Sequence, residues 1–456
     1  MRRLLGALCA AVLLLAPGAA WGDPVIQPPQ GSVVGAPVQS VRVAVGAPVE
    51  PDLARARVTA PDGSSASLVR VTPADPEALV IPVPAGGRGT YRVAWWGLTT
   101  DGHPFAGTTS FAVGIASPAA VAVAPEGKDG AGWLAMLARF LVLIGVLGTA
   151  GMAACREWVV GGAWRIGGIA PPGVDLADGV RGSAAAVADR PVRAWWITWW
   201  SLVAAWVVGL VLALPVHAAA TGGQWGELLG GSRWGSAWAG LAVLAVAAAV
   251  AGMVARAGEP RVGPSGPRMY AAAVPGVLGA VLLSWSGHAA SGTDATLGVA
   301  IDVVHGWATA AWLGGLVMLL ALALPLLGRM AEGPRLALGA GIVVRFSSVA
   351  VAAVVLLVVT GVYRALAELP SLASLWTTSY GVALLVKLIV FAVMLVLAAW
   401  NRLVLHPRLE RAALGLGSAG PGDGMGALRS SVRAEVALGA VVMLAVAVLV
   451  GLVPPT

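Results

Sequence analysis

The sequence predicts a mostly α-helical fold, a polytopic membrane bundle of about eight transmembrane helices that follows a small, exported β-sandwich domain. Composition, an N-terminal export signal and the pattern of apolar runs predict it. Hydrophobic residues make up 58 % and charged residues 11 % of the 456 residues, and the mean hydropathy is +0.83. Soluble domains carry about 25 % charged residues. Most of this chain is therefore expected in lipid.

Residues 1–22 have the features of a secretory signal peptide. Two arginines precede an apolar run over 4–15, and small residues follow up to Gly22. These three features together are typical of such a signal. One of the two cysteines lies within it, so the mature chain keeps only Cys155 and we expect no intramolecular disulfide. The segment that follows is predicted to lie outside the cytoplasm.

Residues 23–117 are predicted to form a β-sandwich. Short runs of alternating or β-branched residues are separated by Pro, Gly and Asp, with turn signals such as Pro61-Asp62-Gly63. Regularly spaced short strands with turn signals are typical of sandwiches. The predicted strands are 41–45, 56–59, 67–71, 79–83, 91–96 and 108–113.

Residues 118–132 are predicted to be a linker, rich in Ala, Pro and Gly, and residues 133–456 a membrane domain. Eight apolar runs in that domain are long enough for a hydrocarbon core of about 30 Å, which takes about 20 residues of helix. The predicted spans are 133–154, 195–218, 237–255, 270–290, 297–327, 342–362, 380–400 and 436–453.

The arginines predict the orientation of the bundle in the cytoplasmic (inner) membrane. With the β-sandwich outside, only Arg233 and Arg364 fall in outer connections, and the excess on the other side is the usual cytoplasmic signal. Both mature termini are then outside. Because the arginines form no contiguous basic stripe, the net charge of +7 predicts no nucleic-acid partner. The cytoplasmic set is Arg156, Arg165, Arg181, Arg190, Arg193, Arg256, Arg261, Arg268, Arg329, Arg335, Arg345, Arg402, Arg408, Arg411, Arg429 and Arg433.

Tryptophans crowd the cytoplasmic start of the second predicted span, at Trp195, Trp196, Trp199 and Trp200. Tryptophan is enriched at membrane–water interfaces. We interpret this group as interfacial anchors, with an aromatic cofactor box as the alternative.

Polar residues that hydrocarbon ordinarily excludes concentrate between residues 284 and 316. His288 lies near the outer end of span four, and Asp302 and His305 lie in the outer half of span five. An ionisable side chain costs about 2.5–3.5 kcal/mol at the centre of a span, so each of these is a hypothesis of function. Asp302, His305 and Trp312 share one helix face by their spacing, and the two imidazoles are predicted to approach one another.

Three supporting polar side chains, Arg139, His217 and Lys387, are predicted at a similar depth. Two interpretations of Asp302 stay open: it neutralises Arg139 or Lys387, or it serves the histidines. Imidazole suits copper, zinc, iron and nickel, and the spacing alone does not choose among them.

Gly314 and Gly315, next to Trp312, are expected to let another helix approach closely. Small residues allow such contacts between membrane helices, so we expect a helix crossing here.

The exported segment contains one histidine, His103, in the turn sequence Asp101-Gly102-His103-Pro104. A lone histidine in a turn is usually solvated. A carboxylate and an imidazole on either side of a glycine can instead bind one cation.

These residues resemble a known family pair. The exported segment resembles the CopC copper-binding domain, a Greek-key β-sandwich, and the membrane part resembles CopD. The resemblance covers most of residues 23–456 and implies copper handling, with Cu(II) bound by the exported domain and copper uptake associated with the membrane domain. The motifs that carry it are Tyr91-x-Val-x-Trp95, Asp101-Gly-His103-Pro and Phe111-x-Val; then Ser286-Gly-His288-Ala, Asp302-x-x-His305, Trp312-x-Gly-Gly-Leu316, Arg345-Phe-Ser, Thr360-Gly, Tyr380-Gly, Lys387 and Asn401.

Asp101 and His103 match two of the copper ligands that the resemblance implies. The third is a histidine at the mature N-terminus, and neither product of cleavage, beginning at Asp23 or Trp21, has one. The exported site is therefore expected to be weak or absent, and the domain to act mainly as a structural cap. The copper function is expected to rest on the histidines and Asp302 of the membrane part.

The sequence thus predicts a copper-binding membrane protein for copper import or homeostasis, with copper as its metal. Its predicted partners are the copper ion, the lipid bilayer and an extracytoplasmic copper chaperone or a second copy. No enzyme is predicted, since no hydrolytic constellation or phosphate-binding loop is found. A haem or redox protein with His288 and His305 as axial ligands is one alternative. A copper sensor or assembly partner without flux is the other.

Overall fold

The computed structural model describes residues 25–115, 132–169, 177–223, 225–258, 266–290, 294–414, 416 and 421–452. The predicted signal peptide and almost all of the predicted linker lie outside these ranges. A β-sandwich comes first, and within the described ranges eight helices after it are long and apolar enough to cross a membrane. The predicted fold class is confirmed.

The β-sandwich consists of two sheets with the strand orders β1-β3-β7-β6 and β2-β9-β8-β4-β5. Alternate residues, such as Val41, Val43 and Val93, fill the space between the sheets and are fully buried. The predicted strand 67–71 is wrong, because one strand ends before it and the next begins near its end. The strands are β1 Ile26–Gln27, β2 Val33–Val34, β3 Ser40–Ala44, β4 Arg55–Thr59, β5 Ser65–Ala66, β6 Arg70–Thr72, β7 Asp75–Pro82, β8 Gly89–Leu98 and β9 Pro104–Val113.

A long hairpin, β8–β9, carries the residues of the exported motif at its tip. The two strands pair over ten residues each, with Leu98 opposite Pro104. The tip is held by a hydrogen bond from the Thr99 amide to the His103 carbonyl, at 2.9 Å. Gly102 has a φ of +83°, a left-handed conformation that favours glycine. The sandwich therefore presents Asp101 and His103 on a well-defined turn.

The eight spanning helices coincide with the predicted spans and mostly extend beyond them. α4 and α8 instead end four residues before their predicted ends, and His288 lies in a separate 3-10 turn, His288–Ala290. The helices are α1 Gly132–Arg165, α2 Asp189–Ala219, α3 Arg233–Ala257, α4 Pro267–Ser286, α5 Ala295–Leu327, α6 Glu332–Glu368, α7 Ser379–Arg411 and α8 Met425–Leu449.

α1 packs against α2, α4, α5 and α8 and so lies at the centre of the bundle. It crosses α5 closely, as the glycines of α5 predicted: a Cβ at Gly314 would lie only 2.7 Å from the Cα of Gly151. α5 also contains a π-helical segment, Ala310–Gly314, which carries Trp312. Such segments often occur at functional sites because they re-aim side chains.

The prediction of interfacial anchors is wrong for Trp195, Trp196 and Trp199. Their exposed fractions are 0 %, 4 % and 0 %, so they pack inside the protein. The Arg156 guanidinium lies 4.8 Å from the centre of the Trp195 ring, a cation–π contact. These indoles fill the core between helices.

Candidate metal centre

A cavity of about 500 Å³ lies between the β8–β9 tip and the helix bundle. Its walls come from the β-sandwich and from several helices, so residues far apart in the chain meet there. All of the predicted site residues line it: Asp101, His103, Arg139, His217, His288, Asp302, His305, Trp312 and Lys387.

Asp101, His103 and His288 form a cluster at the mouth of this cavity, with one potential ligand atom of each within 4.8 Å of the others. Nδ1 of His103 lies 3.1 Å from one Asp101 oxygen, and Nδ1 of His288 contacts the other. The two imidazole rings stack with a centroid distance of 4.6 Å and an interplanar angle of 8°. We call these three residues the mouth cluster.

The hairpin tip fixes the two members of the mouth cluster that belong to the β-sandwich. The Thr99 hydroxyl donates to the Asp101 carboxylate and accepts the His103 amide at 3.0 Å. A Cβ at Gly102 would lie 2.6 Å from the Trp234 ring, so glycine also allows the tip to lie against the bundle. The third member follows the end of α4, where the 3-10 turn points His288 at the tip.

Backbone carbonyls at the end of α8 fix the tautomers of both histidines. Nε2 of His288 lies 3.2 Å from the Leu452 carbonyl, and Nε2 of His103 contacts the Val450 carbonyl. Because a carbonyl only accepts, each neutral ring carries its proton on Nε2 and a lone pair on Nδ1. In those tautomers the Nδ1 lone pairs of both rings face the Asp101 carboxylate. Imidazole nitrogen and carboxylate oxygen are atoms that a metal cation can take as ligands.

Burial and charge oppose the alternative, in which the His103 imidazole is protonated. Burial lowers the pKa of His103, and the facing Asp101 carboxylate offsets this only in part. Burial pushes the pKa of Asp101 upward, but the imidazoles of His103 and His288 outweigh burial and hold that pKa below its ordinary value. The cluster therefore combines an ionised carboxylate with a neutral imidazole of His103.

Asp302 lies deeper in the cavity and pairs with Arg364, at 2.8 Å. The expectation that Asp302 neutralises Arg139 or Lys387 is therefore wrong. α6 continues past the predicted end of span six, which brings Arg364 onto a helix facing α5 instead of an outer connection. Arg364 also pairs with Glu368.

His305 is held by a hydroxyl and does not join the mouth cluster. Its Nδ1 lies 2.8 Å from Oγ1 of Thr360, whose own hydroxyl donates to the Leu356 carbonyl at 2.6 Å. Thr360 must then accept from His305, so Nδ1 carries the proton and Nε2 keeps its lone pair. The predicted approach of His305 to His288 is replaced by the approach of His288 to Asp101.

His217 ties the hairpin tip to the bundle. Its Nε2 lies 3.1 Å from the Gly102 carbonyl, and its Nδ1 lies 2.9 Å from the Ala213 carbonyl. Its ring stacks on Trp234 at 4.0 Å between centroids. His217 therefore positions the tip and has no nitrogen left to face the mouth cluster.

Sequence patterns did not indicate the polar residues that hold the deeper wall: Arg364, Glu368 and the hydroxyl of Tyr380, which donates to Glu368. They also gave no role to Thr360. The motifs containing Thr360 and Tyr380 were visible in the sequence. Their partners were not, because they come from other helices.

Comparison with known proteins gives two domain matches. Residues 25–114 match the CopC domain, and residues 340–449 match CopD, described as copper resistance protein D. The chain thus contains a region that matches the CopC domain and, after it, a region that matches CopD, in the order that the resemblance indicated. The coarse functional prediction, a copper-related membrane protein, agrees with both.

A curated relative is similar over part of the chain. It is the copper transport protein CutJ of Bacillus subtilis (strain 168), 30 % identical over 264 residues, or 56 % of this chain and 45 % of CutJ. The chain therefore spans less than half the length of that relative.

Two solved structures resemble the sandwich. One is CopC from Methylosinus trichosporium OB3b, with 23 % identity over 22 % of this chain and 97 % of that one, at a TM-score of 0.19. The other is PcoC, a copper resistance protein from Escherichia coli, with 28 % identity over 21 % of this chain and 99 % of that one, at a TM-score of 0.17.

Proposed function

We propose that this protein binds copper at the mouth cluster and moves it through the cavity across the cytoplasmic membrane. One observation carries the proposal: one potential ligand atom each of Asp101, His103 and His288 lies within 4.8 Å of the others. Imidazole and carboxylate are ligands that copper accepts. The CopC and CopD matches support copper as the transported ion, and the name of the relative CutJ supports transport.

The proposal gives the exported domain a different role from the one that the sequence predicted. The expected copper site lacked a third ligand, because the mature chain has no N-terminal histidine. His288 brings an imidazole from the membrane region to the same carboxylate. In this proposal the exported domain supplies two of three ligands and is more than a structural cap. Neither domain holds the site alone.

His305 is proposed as the next ligand along the path. Its Nε2 keeps a lone pair, and the residue lines the same cavity as the mouth cluster. Asp302 is already paired with Arg364, so we assign it to charge balance and not to the metal. In this proposal copper is held less tightly at His305 than at the mouth cluster, because no free carboxylate joins the imidazole there, and it is released more readily.

The proposal is tested by copper content and copper flux of the full-length protein. We expect His288→Ala to lose bound copper at the mouth, and His305→Ala to keep it but to carry less copper into reconstituted vesicles. His406→Ala, at the far end of α7, is the matched control and should keep the copper content of the wild type. Unchanged copper content in His288→Ala would refute the shared site. Bound copper without flux would favour the sensor or assembly alternative.

The haem alternative is less well supported by the geometry. It needs His288 and His305 on opposite faces of one macrocycle, whereas His288 is held by Asp101 and Leu452. An absorption spectrum of the purified protein decides the matter. A Soret band that disappears in His305→Ala would replace the copper proposal.

A further inference from the structure

A second, smaller cavity of about 80 Å³ lies at the other end of the bundle, among α5, α6, α7 and α8. Trp312 lines both this inner cavity and the larger one. The indole is 2 % exposed and packs edge-to-face on Phe391, with 5.7 Å between ring centroids. The Trp312 side chain therefore lies between the two cavities and separates them.

Glu435 on α8 lines the inner cavity and is only 3 % exposed. Its carboxyl receives one side-chain hydrogen bond, from the amide nitrogen of Asn401. Within the described part of the chain no arginine, lysine or histidine forms an ion pair with it. A buried carboxylate without a cation costs several kcal/mol, so the ionised form is costly here.

The side-chain amide of Asn401 is the second unusual feature of this cavity. Its amide oxygen is buried and, among the described residues, has no hydrogen-bond partner. An ionised Glu435 only accepts hydrogen bonds, but a protonated one has an O–H to donate. One proton on Glu435 therefore removes the unpaired buried charge and offers a donor beside an acceptor that lacks one.

The other titratable groups that line the inner cavity belong to α7, and they face one another. Nη1 of Arg402 donates to Nδ1 of His406 at 2.7 Å, and Nε2 of His406 lies 3.8 Å from Glu410. α5 contributes apolar side chains and the indole, and α6 contributes Ser347 as its polar residue. Glu435 is thus the carboxylic acid that lines this cavity, and the Arg402 guanidinium contacts His406 instead.

We propose that Glu435 is a proton-binding site at the inner end of the path, which releases its proton as a copper ion passes Trp312 and takes it back afterwards. The proton moves between the carboxyl oxygen and water in the inner cavity, and the carboxylate balances the charge of the passing cation. The inference that Glu435 binds a proton does not depend on the proposed transport, whereas the coupling of that proton to copper rests on it.

Infrared spectroscopy of the full-length protein near neutral pH tests the proton itself. We expect the C=O stretching band of a carboxylic acid in the wild type, shifted by deuterium exchange, and its loss in Glu435→Gln. The substitution keeps the side-chain shape and mimics the protonated form. Glu332→Gln, at an exposed acid of α6, is the control and should keep the band. A band that is absent from the wild type, or that persists unchanged in Glu435→Gln, would overturn the assignment.

Copper flux into phosphatidylethanolamine/phosphatidylglycerol vesicles, with and without an imposed pH difference, tests the coupling. The wild type and Glu332→Gln should respond severalfold to the pH difference, and Glu435→Gln should not. A wild-type flux that ignores the pH difference contradicts the coupling while leaving transport intact. If the wild type carries no copper at all, the proposed transport fails, and the infrared result alone decides whether Glu435 binds a proton.

Discussion

The mouth of the large cavity and its deeper wall hold the same kinds of side chain in opposite arrangements. At the mouth, one carboxylate faces two imidazoles whose other nitrogens are bound to carbonyls. In the deeper wall, Asp302 and Glu368 are both paired with Arg364, and His305 is bound to Thr360. The mouth thus brings three potential ligand atoms together, whereas the deeper wall pairs its two carboxylates with Arg364.

Asp101→Asn should give the largest effect, because it removes the negative charge of the mouth cluster while keeping the side-chain size. We expect copper affinity to fall on the order of 100-fold, since even residues that only support a ligand contribute 10- to 100-fold. Competitive titration of the full-length protein against a chelator measures this change. Asp62→Asn, in an exposed turn of the same domain, is the control and should bind copper like the wild type. An affinity of Asp101→Asn within a few-fold of the wild type would show that the mouth does not need its carboxylate.

His288→Ala and His305→Ala together sharpen the difference between the mouth and the deeper wall. Loss of the mouth imidazole should lower copper affinity by about 10- to 100-fold. Loss of His305 should change that affinity little, because its imidazole is bound to Thr360 away from the mouth cluster. The same chelator titration measures both variants. Equal losses in the two would mean that the histidines share one site, as the sequence alone suggested.

Arg364→Gln tests the deeper wall and should lower the stability of the protein more than its copper affinity. It leaves Asp302 and Glu368 without their cation, at a cost of about 2 kcal/mol in the free energy of unfolding, because the pair is partly exposed to the cavity. Thermal unfolding in detergent measures the loss. The double variant Arg364→Gln with Asp302→Asn should recover part of it. A single variant as stable as the wild type would mean that the wall does not depend on these pairs.

Thr360→Val should give the smallest effect. It removes the acceptor of His305 while keeping the shape of the side chain, and a single hydrogen bond contributes about 1 kcal/mol. We expect a small decrease in the unfolding temperature and a change in the imidazole tautomer, which nitrogen-15 NMR of labelled histidine detects. A proton on Nε2 of His305 in the wild type would contradict the assignment of the lone pair to that nitrogen.

Sequence patterns predicted the fold and the candidate side chains, but they did not predict how those side chains pair. Apolar runs of about 20 residues and short alternating strands are local signals, and they located the helices and most strands. The pairing of Asp302 with Arg364 depends on how far α6 continues and on which face meets α5. Counting residues along a single helix gives neither the length of α6 nor the face of it that meets α5.

The shared mouth cluster was hidden for a similar reason. Asp101 and His288 are separated by 187 residues, and the contact depends on how the sandwich rests on the bundle. The missing N-terminal histidine led to the expectation of a defective exported site. The orientation of the hairpin tip, which no local pattern encodes, places His288 beside Asp101, and in our proposal His288 supplies the third ligand.

α8 connects the two ends of the proposed path through one rigid element. Carbonyls just beyond its last turn, at Val450 and Leu452, hold the rings of His103 and His288, and Glu435 lies about 22 Å away on the same helix. Any tilt or slide of α8 that accompanies protonation at one end must alter the support of the ligands at the other. By thermodynamic reciprocity, copper occupancy at the mouth would then change the proton affinity of Glu435 by the same factor. In the proposed mechanism, one helix therefore connects the metal site with the proton site.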